Sequence, residues 1–168
     1  MEYRSRFLHT LYTIPYTLPC YTRDAMESTE FDIKESLQVG VGKGLFAKTP
    51  IEKGAFILEY IGRPLPTAEA DEHPGRYLFE VDEQLTLDGD TPENTAKYIN
   101  HSCDPNVEAE IDEEDDGSKH INIYAVRGIA AGEELYIDYG EEYFDEFIRP
   151  VGCKCGSPNC QSKKKAAK

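Results

Sequence analysis

Three cysteines near the C-terminus, Cys153, Cys155 and Cys160, constrain the fold more than any other feature of this sequence. They form a C-x-C-x4-C cluster, which is tighter than the usual zinc-ribbon spacing. Structural zinc sites bind the ion with four ligands in a tetrahedron, and three thiolates cannot complete that shell. The fourth ligand must then come from a distant part of the chain: Cys20, Cys103 or one of the four histidines. The alternative is that the three thiols stay reduced and bind nothing.

Cys103 lies in the polar stretch NHSCDPN, residues 100–106, which places an amide, an imidazole, a hydroxyl and a thiol side by side. A turn at Asp104-Pro105 would hold the thiol outward, and a zinc site that used it would tie the C-terminal tail to the middle of the chain. A nucleophilic pair of Ser102 and His101 is the competing interpretation. It is disfavoured because no G-x-S-x-G turn surrounds the serine and because neighbouring residues cannot easily face each other across a site.

Charge and cysteine count narrow the class of protein. The 168 residues are enough for one domain with a core. Eighteen basic against 32 acidic residues leave a net charge of −14, which disfavours nucleic-acid binding and favours a Lys/Arg-rich partner. No stretch is apolar for the ~18–20 residues that a membrane-spanning helix needs. An odd count of five cysteines is not typical of a secreted disulfide framework, so we expect an intracellular protein.

The first 25 residues differ from the rest of the chain. They are rich in Thr and Tyr and show neither strand alternation nor a helical apolar stripe. We interpret residues 1–30 as an N-terminal extension, disordered or left over from a start codon placed too early, with Met26 as the natural start. A transit peptide is the alternative, and two prolines count against it.

From Phe31 onward the sequence predicts many short strands separated by Gly and Pro turns. The predicted strands are GLFAKT (44–49), AFILEYIG (55–62), RYLFEV (76–81), LTLD (85–88), HINIYAV (120–126) and ELYIDYG (134–140). Two short helices are predicted, over residues 67–73 and from Thr91 through TPENTAKYI. The fold class is therefore mainly β, a compact assembly of small sheets with little helix.

Seven acids fall within the nine residues 108–116, EAEIDEEDD. We interpret this run as a solvated, self-repelling hairpin loop between two strands. The alternative is a docking surface for a basic peptide.

Several motifs together resemble one family. GKGLFA, EYIG, YLF, INHSCDPN, GEELYIDYG and the C-x-C-x4-C tail occur in the order found in SET-domain protein lysine methyltransferases with a post-SET zinc segment. The resemblance covers roughly Phe31 to Cys160. No cysteine-rich pre-SET segment is present, so the chain is similar to the compact type. The domain organisation that this implies is a SET domain over 31–145, a post-SET segment over 146–162 and a basic tail over 163–168.

The resemblance implies a small-sheet, β-clip-like fold in which NHSC and ELYIDY meet through a knot-like threading, an exception to the rule against threaded chains. It implies S-adenosylmethionine and Zn²⁺ as cofactors. The substrate would be a lysine of a basic protein or peptide, histone-like or ribosomal, with no direct nucleic-acid binding and no membrane. The location would be the cytoplasm in bacteria, or the nucleus or chromosome in eukaryotes.

The resemblance also implies the site residues. The catalytic tyrosine would be Tyr139, with Tyr60 lining the lysine channel and Tyr77 between that channel and the cofactor. The alternative for each tyrosine is a structural role in the core, with its hydroxyl hydrogen-bonded within the protein. The cofactor would contact Gly42, Lys43, Gly44, Leu45, Tyr77, Lys97, Asn100 and His101, although His101 could instead be a buried structural histidine. The zinc ligands would be Cys103, Cys153, Cys155 and Cys160.

The chemistry agrees with that assignment. Methyl transfer is an in-line displacement by a neutral amine, so a lysine with an ordinary pKa near ~10.4 must lose its proton first. A dry aromatic channel beside a sulfonium disfavours the ammonium by desolvation and like-charge repulsion. Tyrosine hydroxyls and main-chain carbonyls can aim the amine, and most of the rate would come from alignment.

The sequence departs from the family pattern in three places. Lys97-Tyr98 stands where Arg-Phe is common, so Lys97 would meet a cofactor carboxylate as a point charge. Ile137 stands where Phe or Tyr is common, which leaves the number of transferred methyls open. After Cys160 the chain ends QSKKKAAK, without the apolar residue that usually covers the adenine.

Two alternatives remain open at this level. One is a non-catalytic SET module that binds a basic peptide as a scaffold, although retention of Tyr139, Tyr60, Asn100 and His101 favours an enzyme. The other concerns the lysine-rich tail: it is either a solubilising end or a segment that enters an acidic groove and is itself methylated.

Overall fold

A computed structural model describes residues 30–70, 73 and 75–163. The expected N-terminal extension, Cys20 and the last five residues of the basic tail lie outside these residues, apart from Glu30. The described chain is mainly β with short helical turns, which confirms the predicted fold class. Its strands are β1 (Phe31–Glu35), β2 (Lys43–Ala47), β3 (Phe56–Tyr60), β4 (Arg63–Pro66), β5 (Leu78–Glu80), β6 (Leu85–Asp88), β7 (Asn100–His101), β8 (Val107–Glu113), β9 (Lys119–Ala125) and β10 (Tyr136–Ile137).

The strands form four small sheets. β1 and β2 make an antiparallel pair, β3-β9-β8 and β4-β6-β5 are three-stranded and antiparallel, and β7 pairs with β10 in parallel. The β7–β10 pair joins Asn100 to Tyr136 and His101 to Ile137. The NHSCDPN segment therefore lies against the ELYIDYG segment, as expected, while the threading of one through the other stays a prediction.

Helical structure is brief. Helix α1 is Thr67–Ala70, and helix α2, Glu141–Tyr143, continues as a π-helical turn over Phe144–Ile148 and a 3₁₀ turn over Arg149–Val151. Two further 3₁₀ turns are Thr95–Tyr98 and Gln161–Lys163. The helix predicted from Thr91 is wrong in its first turn, because the side-chain amide of Asn94 donates to the Gly89 carbonyl at 3.0 Å and holds the chain in a bend.

The prediction of an acidic loop is also wrong for most of its length. Residues 108–113 belong to strand β8, and only the connection after Glu113 is a turn. Val107, Ala109 and Ile111 alternate toward the core side, opposite Ala125, Ile123 and Ile121 of β9. Glu108, Glu110 and Asp112 point to the other face, so pairing satisfies the backbone while solvent screens their repulsion.

The core lies between β2, β3 and β9. β9 buries alternate residues, and Ile121, Ile123 and Ala125 are at most 2% exposed. Leu45 and Leu135 are fully buried beside them. Ile99 and Leu135, which directly precede β7 and β10, both belong to the one hydrophobic cluster of buried residues. Among the described residues, no helix has the length and apolar character needed to cross a membrane.

Candidate active site

A cavity of about 260 Å³ opens beside strands β7 and β10. Its wall is mainly aromatic and aliphatic, and it includes Tyr60, Tyr77, Tyr139, Tyr143, Phe79, Ile99, Ile123 and Ile137. Its charged lining residues are Arg76, Glu80, Lys97 and Asp138. The three tyrosines expected at the catalytic centre therefore lie around one cavity, although they are up to 79 positions apart in the chain.

Tyr139 is held by two hydrogen bonds to the NHSCDPN side of the cavity. Its hydroxyl donates to the Ile99 carbonyl at 2.8 Å, and its main-chain N–H donates to Nδ1 of His101 at 3.2 Å. The rings of His101 and Tyr139 also pack with their centroids 5.5 Å apart. Because Nδ1 accepts from a main-chain N–H, the proton of the neutral His101 ring lies on Nε2.

Tyr60 is held in a similar way on the other side. Its hydroxyl donates to the Tyr77 carbonyl at 2.7 Å, and the same carbonyl accepts the Gly89 N–H at 2.7 Å. Gly89 is needed here, because a Cβ at this position would lie 2.2 Å from the Tyr60 hydroxyl oxygen. The side-chain amide of Asn94 lies against the same oxygen.

Burial raises the pKa of both Tyr60 and Tyr139 well above the ordinary tyrosine value, so both hydroxyls stay protonated near neutral pH. Each O–H is committed to a main-chain carbonyl, and only oxygen lone pairs remain for a ligand. These two groups can accept hydrogen bonds from an ammonium or weak C–H contacts, but they cannot act as tyrosinate bases.

The residues expected to bind the cofactor through β7 and the turn that leads into β2 pack against each other, but they do not line this cavity. The Asn100 side-chain amide donates to the Lys43 carbonyl at 2.9 Å, which places Asn100 against the Gly42–Leu45 segment. Gly42 has φ +92°, a left-handed conformation that favours glycine. The Gln38 side chain donates to the His101 carbonyl at 2.9 Å and ties the residues before this turn to β7.

These elements match a known family. A family model described as SET domain covers residues 42–140. The chain belongs to the SET-domain family.

The relatives of this SET domain carry related names. The chain is 36% identical over 128 residues to histone-lysine N-methyltransferase trithorax of Drosophila virilis, which covers 71% of this chain and 3% of that protein. It is 39% identical over 127 residues to the H3 lysine-4 specific histone-lysine N-methyltransferase of Saccharomyces cerevisiae (70% and 12%). It is 36% identical over 134 residues to histone-lysine N-methyltransferase ASHH3 of Arabidopsis thaliana (73% and 35%). The chain thus spans about a third or less of the length of these relatives.

Solved structures agree with the family. A structure described as ctPRC2 in an autoinhibited conformation bound to S-adenosylmethionine matches with a TM-score of 0.60 and 31% identity. The match covers 66% of this chain and 15% of that chain. A humanized mutant of the Chaetomium thermophilum Polycomb Repressive Complex 2, bound to the inhibitor GSK126, matches with a TM-score of 0.60 and 33% identity. This match also covers 66% of this chain and 15% of that chain. The mainly β architecture is therefore that of a SET domain.

Next to this SET-domain pocket, the fold brings four cysteines together. The Sγ atoms of Cys103, Cys153, Cys155 and Cys160 all lie within 4.8 Å of one another. The Cys103 Sγ is 4.0 Å from both the Cys153 and the Cys160 Sγ. A zinc–sulfur bond of ~2.3 Å gives a tetrahedron with an edge of about 3.8 Å, so only a small contraction would be required. This cluster is consistent with a post-SET zinc segment.

The thiols of the cluster differ in acidity. Burial raises the pKa of Cys103 to about 11. Burial also acts to raise the pKa of Cys155, but hydrogen bonds from main-chain groups and from the neighbouring thiols outweigh it and lower that pKa to about 7. Cys155 therefore ionises before Cys103 and Cys153. The Cys103 Sγ also lies 3.3 Å from Nε2 of His101, whose burial lowers its pKa.

Lys97 lines the cavity, but its ammonium is already engaged. It donates to the Thr91 carbonyl at 2.8 Å and lies 3.3 Å from the Asp90 carboxylate. Its Nζ is 5.7 Å from the centroid of the Tyr77 ring. Contact between Lys97 and a cofactor carboxylate stays a prediction, and it would require an exchange of these partners.

Sequence reasoning missed three residues of the site. Tyr143 lines the cavity and packs edge-on against Tyr139, with ring centroids 5.0 Å apart. Asn94 is fully buried beside Tyr60, and Glu134 is fully buried behind Asn100. The only signal for Tyr143 was its spacing of four from Tyr139, which is the spacing of neighbours on a helix. Nothing in the sequence indicated that Glu134 of GEELYIDYG would be buried.

Proposed function

We propose that this SET domain is an S-adenosylmethionine-dependent protein-lysine N-methyltransferase that acts on a basic, histone-like protein. The observation that carries the proposal is the pair of tyrosine hydroxyls, Tyr60 and Tyr139, in one narrow cavity with both O–H protons committed to main-chain carbonyls. Two buried hydroxyls that offer only lone pairs, in a mainly apolar wall, suit an amine that must be oriented beside a polarised methyl group. The names of the relatives support the same activity.

The residues of the cavity account for the requirements of methyl transfer. When bound, S-adenosylmethionine supplies a methyl group on a positively charged sulfonium. The aliphatic wall of Ile99, Ile123 and Ile137 disfavours a charged ammonium by desolvation, so the substrate lysine enters the reaction as the neutral amine after losing its proton to water. Tyr139 and Tyr60 then aim the nitrogen lone pair, and alignment provides most of the acceleration.

The cofactor wall of the proposal comprises the residues that surround Asn100. In this proposal Gly42, Lys43, Gly44 and Leu45 would offer main-chain groups, and Asn100 would offer its side-chain amide. Both ring nitrogens of His101 already have partners, in Tyr139 and Cys103. Tyr77 and Lys97, which line the tyrosine cavity, would lie between it and this wall. The contact between Asn100 and the Lys43 carbonyl supports the grouping, because it joins two segments that are 57 positions apart.

We also propose that Cys103, Cys153, Cys155 and Cys160 hold one structural Zn²⁺. Their Sγ atoms lie within 4.8 Å of one another, which is close to the spacing of a tetrahedral all-sulfur shell. The ion would attach the segment after Val151 to the NHSCDPN stretch, so that this segment covers one side of His101. The basic tail, Lys163 to Lys168, would serve as a solubilising end.

The substrate class follows from charge as well as from the relatives. The net charge of −14 attracts a Lys/Arg-rich protein over long range and repels nucleic acid. We therefore propose an intracellular protein, which in a nucleated cell acts on chromatin. Ribosomal proteins are the second basic class that the test should include.

The decisive experiment measures binding and transfer separately. Calorimetry with S-adenosylmethionine is followed by transfer of tritiated methyl groups to mixed histones and to a cell extract. Tyr139→Phe should bind the cofactor and lose roughly a hundredfold in turnover or more, which is the size of the loss when one well-placed polar contact is removed from a transition state.

Tyr124→Phe is the matched control, because Tyr124 lies on the outer face of β9, where its hydroxyl is 3.4 Å from Asp112, and does not line the cavity. It should retain wild-type turnover. Cofactor binding without transfer to any protein would favour the non-catalytic scaffold instead. Failure to bind the cofactor would end the proposal.

A further inference from the structure

Strand β8 forms an open edge of the three-stranded sheet β3-β9-β8. Only its start is covered, because the N–H of Asn106, directly before the strand, donates to the Tyr136 carbonyl at 3.0 Å. Beyond that contact, no strand of the described chain pairs with this side of β8. An open edge of this kind is a template on which another strand can pair.

The direction of the main-chain groups on this edge follows from the ladder with β9. In an antiparallel pair, residues that bond to the neighbouring strand alternate with residues that direct N–H and C=O away from it. The Glu114 N–H donates to the Ser118 carbonyl at 2.9 Å across the hairpin, and the register is continuous, so the even-numbered residues of β8 bond to β9. Ala109, Ile111 and Glu113 therefore direct their main-chain groups outward.

The side chains along β8 alternate in chemistry. Glu108, Glu110 and Asp112 lie exposed on the outer face, and none of the ion pairs among the described residues includes them. On the core side, Ile111 is 44% exposed, although it lies opposite the fully buried Ile121. The strand thus has a row of uncompensated acids on one face and an incompletely covered apolar residue on the other.

The charge of the acidic row determines which strand can be added. Residues directly opposite each other on neighbouring strands have Cβ atoms about 4.5–5.5 Å apart, where opposite charges attract and like charges repel. A second copy of β8 would set carboxylate against carboxylate. A strand with Lys or Arg at alternate positions would instead set a cation opposite Glu108, Glu110 and Asp112. Its intervening residues would lie on the core side, where an apolar side chain would cover Ile111.

We propose that the open side of β8 from Ala109 to Glu113 is a docking edge for a segment of a basic protein in which Lys or Arg alternates with apolar residues. The segment binds by strand addition: main-chain hydrogen bonds provide affinity, and the alternation provides specificity. No residue of β8 lines the tyrosine cavity, so the docking edge is separate from the proposed site of methyl transfer. The inference does not rest on the proposed function, and its test needs no cofactor.

The first experiment compares two short peptides by calorimetry with the full chain at low ionic strength. One peptide alternates lysine and valine, and the other has the same composition with all lysines first and all valines after them. The alternating peptide should bind roughly tenfold tighter or more, because only its strand sets every cation on the acidic face. Both peptides carry the same charge, so equal affinities would show plain electrostatic attraction and overturn the proposal.

Amide hydrogen exchange locates the bound peptide. In the free protein the amides of Ala109 and Ile111 should exchange quickly, and the alternating peptide should slow them by roughly tenfold or more. The amide of Ile123, in the central strand β9, should not change. Slow exchange of Ile111 in the free protein would show that another part of this chain or a second copy already covers the docking edge, and it would overturn the proposal.

Charge reversal at Glu110 tests the acidic row. Glu110→Lys should weaken binding of the alternating peptide by roughly fivefold to twentyfold, because a like-charge contact replaces an attractive one. Glu35→Lys is the matched control, since it makes the same charge change at an exposed residue of β1, in a different sheet. It should bind the peptide as the wild type does. Equal weakening by both substitutions would reduce the interaction to net charge and contradict a docking edge.

A proline at position 111 tests the main-chain bonds. Ile111→Pro removes one outward N–H, and an edge strand tolerates proline at such a position because no bond to β9 is lost. The variant should keep the wild-type circular dichroism spectrum and bind the alternating peptide roughly tenfold more weakly or worse. A folded variant with unchanged affinity would exclude strand addition. If Ile111→Pro does not fold, the exchange of Ala109 and Ile111 in the wild type decides.

Discussion

The tyrosine cavity and the cysteine cluster lie on opposite sides of one ring, that of His101, and their polar groups are satisfied in different ways. Nδ1 of His101 accepts the Tyr139 N–H at 3.2 Å, and Nε2 lies 3.3 Å from the Cys103 Sγ. In the cavity, the hydroxyls of Tyr60 and Tyr139 are bonded to the protein's own carbonyls. In the cluster, four thiols converge on a common centre, and Cys103 has only His101 Nε2 and the Gln161 N–H as closer polar contacts than the other thiols.

This difference indicates which part of the site forms without a bound ligand or metal. The cavity is preorganised by main-chain acceptors that belong to the sheets, so its geometry needs no ligand. The cluster joins a mid-chain turn to residues about 50 positions later, and thiol contacts are too weak to close so long a connection. We therefore expect the cavity to survive loss of the metal and the tail to depend on it.

Removal of zinc is the strongest test of this comparison. A chelator should release about one equivalent of metal, with a loss on the order of 10 kcal/mol of binding free energy. Hydrogen exchange should then accelerate for residues 152–163, while the amides of β9 remain protected. Cys103→Ser should lose the metal as readily as Cys155→Ser. Metal retained in Cys103→Ser would show that the fourth ligand was misassigned.

A change that acts on the cavity alone is Gly89→Ala. Its Cβ would lie 2.2 Å from the Tyr60 hydroxyl oxygen and 2.5 Å from Nδ2 of Asn94, so the tyrosine must move. We expect a loss of about 1–3 kcal/mol in the free energy of unfolding, the usual cost of overpacking, together with a large loss of methyl transfer. Zinc content should stay at the wild-type value. Denaturant titration, turnover and metal analysis measure the three quantities.

Gly128→Ala is the control for that substitution, because a Cβ there would meet nothing within 4 Å. It should leave all three quantities unchanged. If Gly89→Ala also released the metal, the cavity and the cluster would be one cooperative unit, and the distinction between them would fail.

The smallest expected effect involves neither region. His120 on β9 shares a 2.7 Å contact between Nδ1 and Oε1 of Glu59, and its pKa is raised by that hydrogen bond and by the charges of Glu59, Glu114 and Asp116. The stabilisation is fully present below the unfolded pKa near ~6.5 and is lost as the pH rises through the higher folded pKa. Both side chains are 32% exposed, so the pair contributes less than about 1 kcal/mol to the free energy of unfolding.

His120→Gln should remove that pH dependence. Between pH 6 and pH 9 the denaturant midpoint should fall more for the wild type than for the variant, and the difference between the two curves is the contribution of His120. Cofactor affinity and zinc content should not change in this range on account of His120. A variant with the wild-type slope would place the titrating group elsewhere.

Strands were predicted best where all residues of a short segment favour a strand. LTLD at 85–88 became β6 with the predicted bounds, and HINIYAV shifted by one residue to become β9. Alternating Ile121 and Ile123 require one buried face whatever packs on it. The same reasoning failed for residues 108–113, because seven acids in nine positions concealed the alternation of Val107, Ala109 and Ile111. Net charge masked a weaker apolar signal, and pairing with β9 decided the structure.

By itself the sequence determined the family, the mainly β class and the identity of the polar groups, since these depend on residue types and their order. NHSCDPN and GEELYIDYG could be assigned to one site before any coordinates. Only the tertiary structure decided which atoms of those groups remain free. Glu134 becomes a buried acceptor for Leu37 and Asn100 because segments far apart in the chain supply its partners, and Lys97 is bonded to Thr91 and Asp90 in the preceding turn. The direction of a hydrogen bond depends on both partners, and a sequence does not show which residues become partners.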